Sequence, residues 1–275
     1  MIRISKLGFS YGKDVVLKDI TMNLEEGRIY GLLGENGVGK TTLLTILSGL
    51  KPAMSGTIEV DGTNPFERRP STLSSLYYLP DEVLPKQCSA LAFAQDMGQY
   101  WESFDTGKFV EIMKTFDSDI NQRMDCMSLG QLKKAYISFA LACNARYLFM
   151  DEPTNGLDIP SKAQFRKAVT KYTSENTTIV ISTHQARDLE AIIDPIIILD
   201  RQSVLLNATV EQISEKLYFD YGNTVEPDAL YSELIPGGCI QVLPNSSGIE
   251  SKVNIEALFN AVLGNKETIR EMFKK

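Results

Sequence analysis

The sequence predicts an α/β fold: a mostly parallel sheet with an N-terminal antiparallel β part, interrupted by a helical insertion. Three observations carry this prediction. The first sixty residues alternate short β-type runs with turns, as in IRISKLGF, VVLKDITMNL, RIYGLLG and GTIEV. Residues 89–144 change to helical periodicity in FAQDMGQYWESF, FVEIMKTF and LKKAYISFALA. Apolar strands and helices then alternate: YLFMD, a helix over 160–172, TTIVIS, a helix over 187–192, and IIILD.

Each element follows from local chemistry. A helix fits residues 40–50, because a Gly-rich turn precedes it and Pro52 stops it. YLFMD, TTIVIS and IIILD hold continuous apolar runs rather than an alternation, the signature of strands covered on both faces. After Asp200, VLLNATVEQISEKL reads as a strand and a short helix. Residues 219–249 are rich in Gly, Pro, Asn and Ser, and a final helical stretch covers 254–273.

Bulk properties narrow the function classes. With 43% hydrophobic and 23% charged residues, the 275-residue chain has ample material for a core. A formal net charge of -7 disfavours a nucleic-acid scaffold, so no nucleic-acid partner is expected. The four cysteines, Cys88, Cys126, Cys143 and Cys239, show no metal-ligand spacing and read as reduced thiols. Residues 1–6 read as an alternating strand rather than a leader. Ile192 to Leu199, the most apolar stretch, is far shorter than the ~20 residues of a membrane span.

The strongest chemical signal is GENGVGKTT: Gly34, Glu35, Asn36, Gly37, Val38, Gly39, Lys40, Thr41 and Thr42. It lies between an apolar strand and a helix, the context that a phosphate-binding loop requires. Its glycines let backbone N–H groups turn inward as an anion nest, and the helix N-terminus adds partial positive charge. Lys40 would reach the outer phosphates, and the Thr41 hydroxyl would ligate magnesium. Such a loop needs a distal carboxylate, and Asp151 stands at the carboxyl end of YLFMD. Glu152 follows, placed to polarise an attacking water. His184, the only histidine, follows TTIVIS on the same expected sheet edge, near where a γ-phosphate would sit. In CMSLGQLKK, Ser128, Leu129, Gly130 and Gln131 form an ordinary helix start when taken alone.

The order of these motifs, with NGLD at 155–158 between the carboxylates and the histidine, resembles the ATPase subunits of ABC transporters over about residues 2–217. The resemblance implies a P-loop NTPase core, a helical signature-motif subdomain and a short C-terminal α+β appendage. It also implies an ATPase using ATP and Mg2+ as a nucleotide-sandwich dimer. Ser128, Leu129, Gly130 and Gln131 match the signature that grips ATP bound to the opposite subunit. Asp151 matches the magnesium carboxylate, Glu152 the glutamate acting on water, and His184 the switch histidine. Asp158 matches the D-loop aspartate that reaches across the dimer, and Tyr11 the aromatic that stacks on adenine.

Two positions depart from the family pattern. Leu129 replaces the first glycine of the signature, and Asp81 stands where a magnesium-contacting glutamine is usual. A carboxylate can hold magnesium, directly or through water, so Asp81 joins Thr41 and Asp151 as a metal candidate. The expected organisation is an ATPase domain over 1–217, with its helical insertion at about 82–144, and a small appendage over 218–275. Expected partners are a second copy or a homologous ATPase subunit, and a polytopic membrane permease. These would hold the chain at the inner face of the cell membrane. Tyr100, Trp101 and Phe104 are candidate permease contacts, although aromatics at that spacing also suit a core. The SLG signature, the acid at 81 and the short tail lean toward export. The rival reading is a mechanical ABC ATPase of translation or DNA repair, against which stand the single phosphate loop and the absence of a heptad run or a C-x-x-C pair.

Overall fold

The computed structural model describes residues 1–274. Strands β1 (Ile2–Tyr11), β2 (Asp14–Leu24) and β4 (Ser55–Val60) form an antiparallel sheet in the order β2-β1-β4. A second, six-stranded sheet uses β3 (Ile29–Leu33), β5 (Leu76–Leu79), β6 (Tyr147–Asp151), β7 (Thr178–Thr183), β8 (Ile196–Asp200) and β9 (Ser203–Ala208). Its order is β5-β6-β7-β3-β8-β9, parallel except for the antiparallel edge strand β9.

The continuous apolar runs are explained by two cores, one on each face. In β6, Tyr147 and Phe149 enter the core shared with the antiparallel sheet, whereas Leu148 and Met150 enter the other. β8 divides in the same way, with Ile197 and Leu199 on one side and Ile196 and Ile198 on the other. Helix α1 (Lys40–Leu47) fills the first core through Leu43, Leu44, Ile46 and Leu47. The short α2 (Pro70–Leu73) precedes β5. The helical insertion comprises α3 (Ala90–Gly98), α4 (Thr106–Thr115) and α5 (Leu129–Ala142), and with α6 (Ile159–Tyr172) it feeds the second core.

Sequence expectation and structure differ in three places. The helix expected over 187–192 is only a 3-10 turn, Ala186–Asp188: Arg166 takes the Asp188 carbonyl at 3.0 Å, and the Ile192 N–H donates to Leu189 instead. The final helical stretch is two helices, α8 (Ile255–Gly264) and α9 (Lys266–Met272), divided at Asn265. Residues 99–104 do not continue α3. There the Trp101 indole N–H donates to the Leu76 carbonyl at 3.0 Å, and both Trp101 and Phe104 pack on Phe139. Of the three aromatics, only Tyr100 is exposed.

The tail holds the α+β elements expected of it. After α7 (Val210–Lys216), strands β10 (Leu217–Gly222), β11 (Tyr231–Ile235) and β12 (Gly238–Pro244) form an antiparallel sheet in the order β10-β12-β11. Pro236 and Gly237 turn the β11–β12 hairpin, and Gly237 has φ +90°, a value suited to glycine. Phe219, Val242, Leu258 and Ile269 are buried in the same core as Ile196 and Ile198. The tail therefore shares the ATPase core rather than hanging from it.

Candidate functional site

Parallel pairing aligns the ends of three central strands. Leu33 lies opposite Thr183, and Asp151 opposite Ser182. The segments that follow β3, β6 and β7 consequently emerge at one sheet edge, the usual ligand edge of an open α/β sheet. These segments begin with Gly34, Glu152 and His184.

The loop from Gly34 to Gly39 turns on two left-handed glycines, Gly37 with φ +83° and Gly39 with φ +108°. A Cβ on Gly39 would lie 2.9 Å from Val16 Cγ1 and 3.0 Å from Leu17 Cδ2, so the loop can press on β2 only without a side chain there. A Cβ on Gly37 would project into open space. The loop borders a cavity of about 360 Å³. Asn36, Gly37, Lys40, Thr41 and Thr42 line one wall, Asp81, Asp151 and Glu152 another, with Tyr11 also at its border.

Lys40 is buried and bends back over its loop. Its ammonium donates to the carbonyls of Gly34 at 2.7 Å and Glu35 at 3.2 Å, and lies 3.5 Å from Glu152 Oε1. The same Oε1 is 3.0 Å from His184 Nδ1, and the His184 backbone N–H donates to Glu152 Oε2 at 3.4 Å. With Nδ1 turned to the carboxylate, Nε2 lies 3.3 Å from Gln185 Nε2. Glu152 thus sits between a lysine and the histidine, with its backbone at φ +45°, an uncommon conformation for a residue with a side chain.

Two partners of this centre were not anticipated from the sequence. Ser182, fully buried, donates its hydroxyl to Asp151 Oδ1 at 2.5 Å and accepts from the Glu152 N–H at 3.0 Å. Tyr78 donates to Asp151 Oδ2 at 3.3 Å, and burial followed by the Asp151 charge holds its phenol protonated, well above the usual tyrosine range. A polar Ser within TTIVIS is the only signal the sequence offers for either. Ser182→Ala leaves a buried carboxylate oxygen without its donor, so a loss of about 1–3 kcal/mol in unfolding free energy is expected. Denaturant unfolding without nucleotide measures it.

Thr41 and Asp151 present hard oxygen donors to the same cavity, with Asp81 beside them. Among the described residues, no group of three or more His, Cys, Asp or Glu side chains forms a metal cage. The donor set therefore suits a magnesium ion held by one or two protein oxygens together with phosphate oxygens and water.

Tyr11 is 48% exposed, and the Lys51 ammonium lies 4.6 Å from its ring centroid. Its hydroxyl accepts from Lys51 and lies 3.4 Å from the Thr42 hydroxyl, and these contacts lower the phenol pKa. Asp81 pairs with Lys133 at 2.8 Å.

Ser128 caps α5 in a reciprocal box. Its hydroxyl oxygen accepts from the Gln131 N–H at 3.2 Å, while Gln131 Oε1 accepts from the Ser128 N–H at 2.9 Å. This leaves the serine O–H proton and the remaining N-terminal amides of α5 facing outward. None of Ser128, Leu129, Gly130 or Gln131 lines the phosphate-loop cavity. Leu129 is 62% exposed, and Ile159, the first residue of α6, is 84% exposed. Asp158 caps α6 by accepting from the Ser161 N–H at 2.9 Å, and the Ser161 contacts lower its carboxyl pKa.

Residues 17–155 match the family described as ABC transporter. A lantibiotic transport ATP-binding protein, SrtF of Streptococcus pyogenes, is 31% identical over 70% of this chain and 84% of its own length. A manganese transport system ATP-binding protein, MntB of Listeria innocua, is 30% identical over 81% of this chain and 96% of its own. Among solved structures, an ATP-binding subunit of an ABC transporter superposes with a TM-score of 0.71 at 21% identity, over 78% of this chain and 91% of that one. A dimeric bacterial ABC transporter cassette gives 0.67 at 21% identity, over 76% and 98%.

Proposed function

Because the chain belongs to the ABC transporter family of ATP-binding, ATP-hydrolysing subunits, we propose that two copies, or one copy and a homologue, sandwich two ATP molecules and drive a separate membrane permease. One observation carries the dimer. The signature residues open a helix with free donors yet stand outside the chain's own phosphate cavity, so their ligand belongs to another subunit. Exposed Leu129 supplies apolar surface among them.

In this reading the phosphate loop wraps the nucleotide with backbone N–H groups, and Tyr11 stacks on adenine with Lys51 at its ring. Lys40 turns from its carbonyl partners toward the outer phosphates. Thr41 and Asp151 would hold magnesium, with Asp81 beside them engaged by Lys133, and the ion when bound would neutralise developing phosphate charge. Freed from Lys40, the Glu152 carboxylate accepts a proton from the attacking water. His184 holds that carboxylate through Nδ1, and a second ring proton on Nε2 would be donated to the γ-phosphate. Asp158 and Ser128 complete the site from the facing subunit. Intact γ-phosphates are ligands of both subunits, so hydrolysis removes the preference for the closed dimer.

Among the described residues no helix is long and apolar enough to cross a membrane. The permease is therefore proposed as a separate chain, with this subunit docked on its cytoplasmic side. The SLG signature and Asp81 support export.

Arginine at 128 tests the shared site, since it fills the space of the incoming phosphate. Ser128→Arg is expected to bind ATP in the monomer within about threefold of wild type while hydrolysis falls at least about a hundredfold. Nucleotide titration and phosphate release measure both. Loss of monomer binding would mean that the signature acts within one subunit.

A further inference from the structure

We propose that Lys133 is a positioning residue for hydrolysis, which acts on Glu152 through the backbone carbonyl it holds and uses Asp81 as its counter-ion. This rests on the reading that Glu152 accepts a proton from water.

Lys133 lies in the second turn of the signature helix and is 2% exposed. A buried ammonium has three protons to satisfy and one charge to neutralise. Here the three acceptors are Asp81 Oδ1 at 2.8 Å, the Glu152 carbonyl at 2.9 Å and the Asn155 carbonyl at 2.9 Å. Asp81 also lies 3.4 Å from Asn155 Nδ2, which closes the arrangement. Packing does not call for a lysine here, because a methionine of similar length would fill the same space.

The arrangement matters because Glu152 is held in a left-handed conformation. Its N–H is fixed by Ser182 and its C=O by Lys133, so the backbone is pinned on both sides of the side chain. One ammonium thereby joins the signature helix, the loop after β5, the Glu152 peptide and the loop leading to Asp158. A shift of the signature helix toward ATP on the facing subunit moves Lys133, and with it the Glu152 carbonyl. The same pairing gives Asp81 a task besides any contact with magnesium.

The test uses the full-length chain and four variants: Lys133→Met, Asp81→Asn, their combination, and Glu152→Gln. Affinity for a fluorescent ATP analogue, phosphate release against ATP and Mg2+ concentration, and thermal unfolding are measured for each. Lys133→Met is expected to lower kcat at least about tenfold while nucleotide affinity and KM stay within about threefold. Asp81→Asn is expected to lower kcat about three- to tenfold without raising the Mg2+ concentration that gives half the maximal rate. The combination should be no slower than Lys133→Met alone, since the two residues act as a unit. If Lys133→Met hydrolyses ATP at the wild-type rate while Glu152→Gln is inactive, the inference is wrong. If Glu152→Gln is active, the underlying reading of Glu152 is wrong instead. Should Lys133→Met unfold below the assay temperature, Asp81→Asn decides, because that side chain is 38% exposed and its change opens no cavity. An unchanged kcat, or a raised Mg2+ requirement, then overturns the proposal.

Discussion

Glu152→Gln is expected to abolish turnover while leaving MgATP binding intact, and to trap the nucleotide-bound dimer. The amide preserves shape, and its oxygen still accepts from Lys40 and from His184 Nδ1, the two groups that now meet Glu152 Oε1. Only proton-accepting capacity is lost. General-base catalysis contributes about 10²- to 10⁴-fold, or roughly 3–5 kcal/mol of barrier, so kcat should fall by that factor. With hydrolysis stalled, both γ-phosphates stay intact and continue to bridge the subunits. Size-exclusion chromatography with MgATP should show a dimer that disappears when the nucleotide is removed. Hydrolysis near the wild-type rate would remove Glu152 from this role.

Lys40→Ala should act one step earlier, on binding. The ammonium is buried, and its present partners are two loop carbonyls and one carboxylate, so it is available for exchange onto phosphate. A charge-assisted hydrogen bond to phosphate is worth roughly 1.5–3 kcal/mol, so its loss predicts about a 10- to 100-fold weaker ATP affinity. Removing it also takes the positive charge from beside Glu152 and leaves the Gly34 carbonyl without its donor. The phosphate loop should then loosen even without nucleotide. Isothermal titration with ATP measures the first effect, and unchanged affinity would refute the phosphate-loop assignment.

Legibility in the sequence followed the range of the interactions. Strands such as YLFMD and IIILD declare themselves because two cores demand apolar residues at every position. The phosphate loop is legible because its glycines and its lysine answer a local backbone requirement. By contrast, Ser182, Tyr78 and Lys133 act through contacts made far along the chain, and no local pattern marks them. Lys133 in LKKAYISFALA looks like a solvated helix position, yet it is among the most buried charges in the protein. The 187–192 helix failed because Arg166, from another helix, takes the Asp188 carbonyl that an α-helix would give to the Ile192 N–H. In the tail, Gly- and Pro-rich turns separate short strands whose apolar faces join the main core, a contact no local pattern announces.

The measurement that tests the central claim most directly is affinity purification of the tagged chain from native membranes in mild detergent, with the ATPase shown to be active. The account predicts a polytopic membrane protein at fixed stoichiometry with this chain, and MgATP hydrolysis that responds to it. Recovery of ribosomes or DNA, or of no membrane protein at all, would contradict a permease-coupled ATPase and favour a mechanical one.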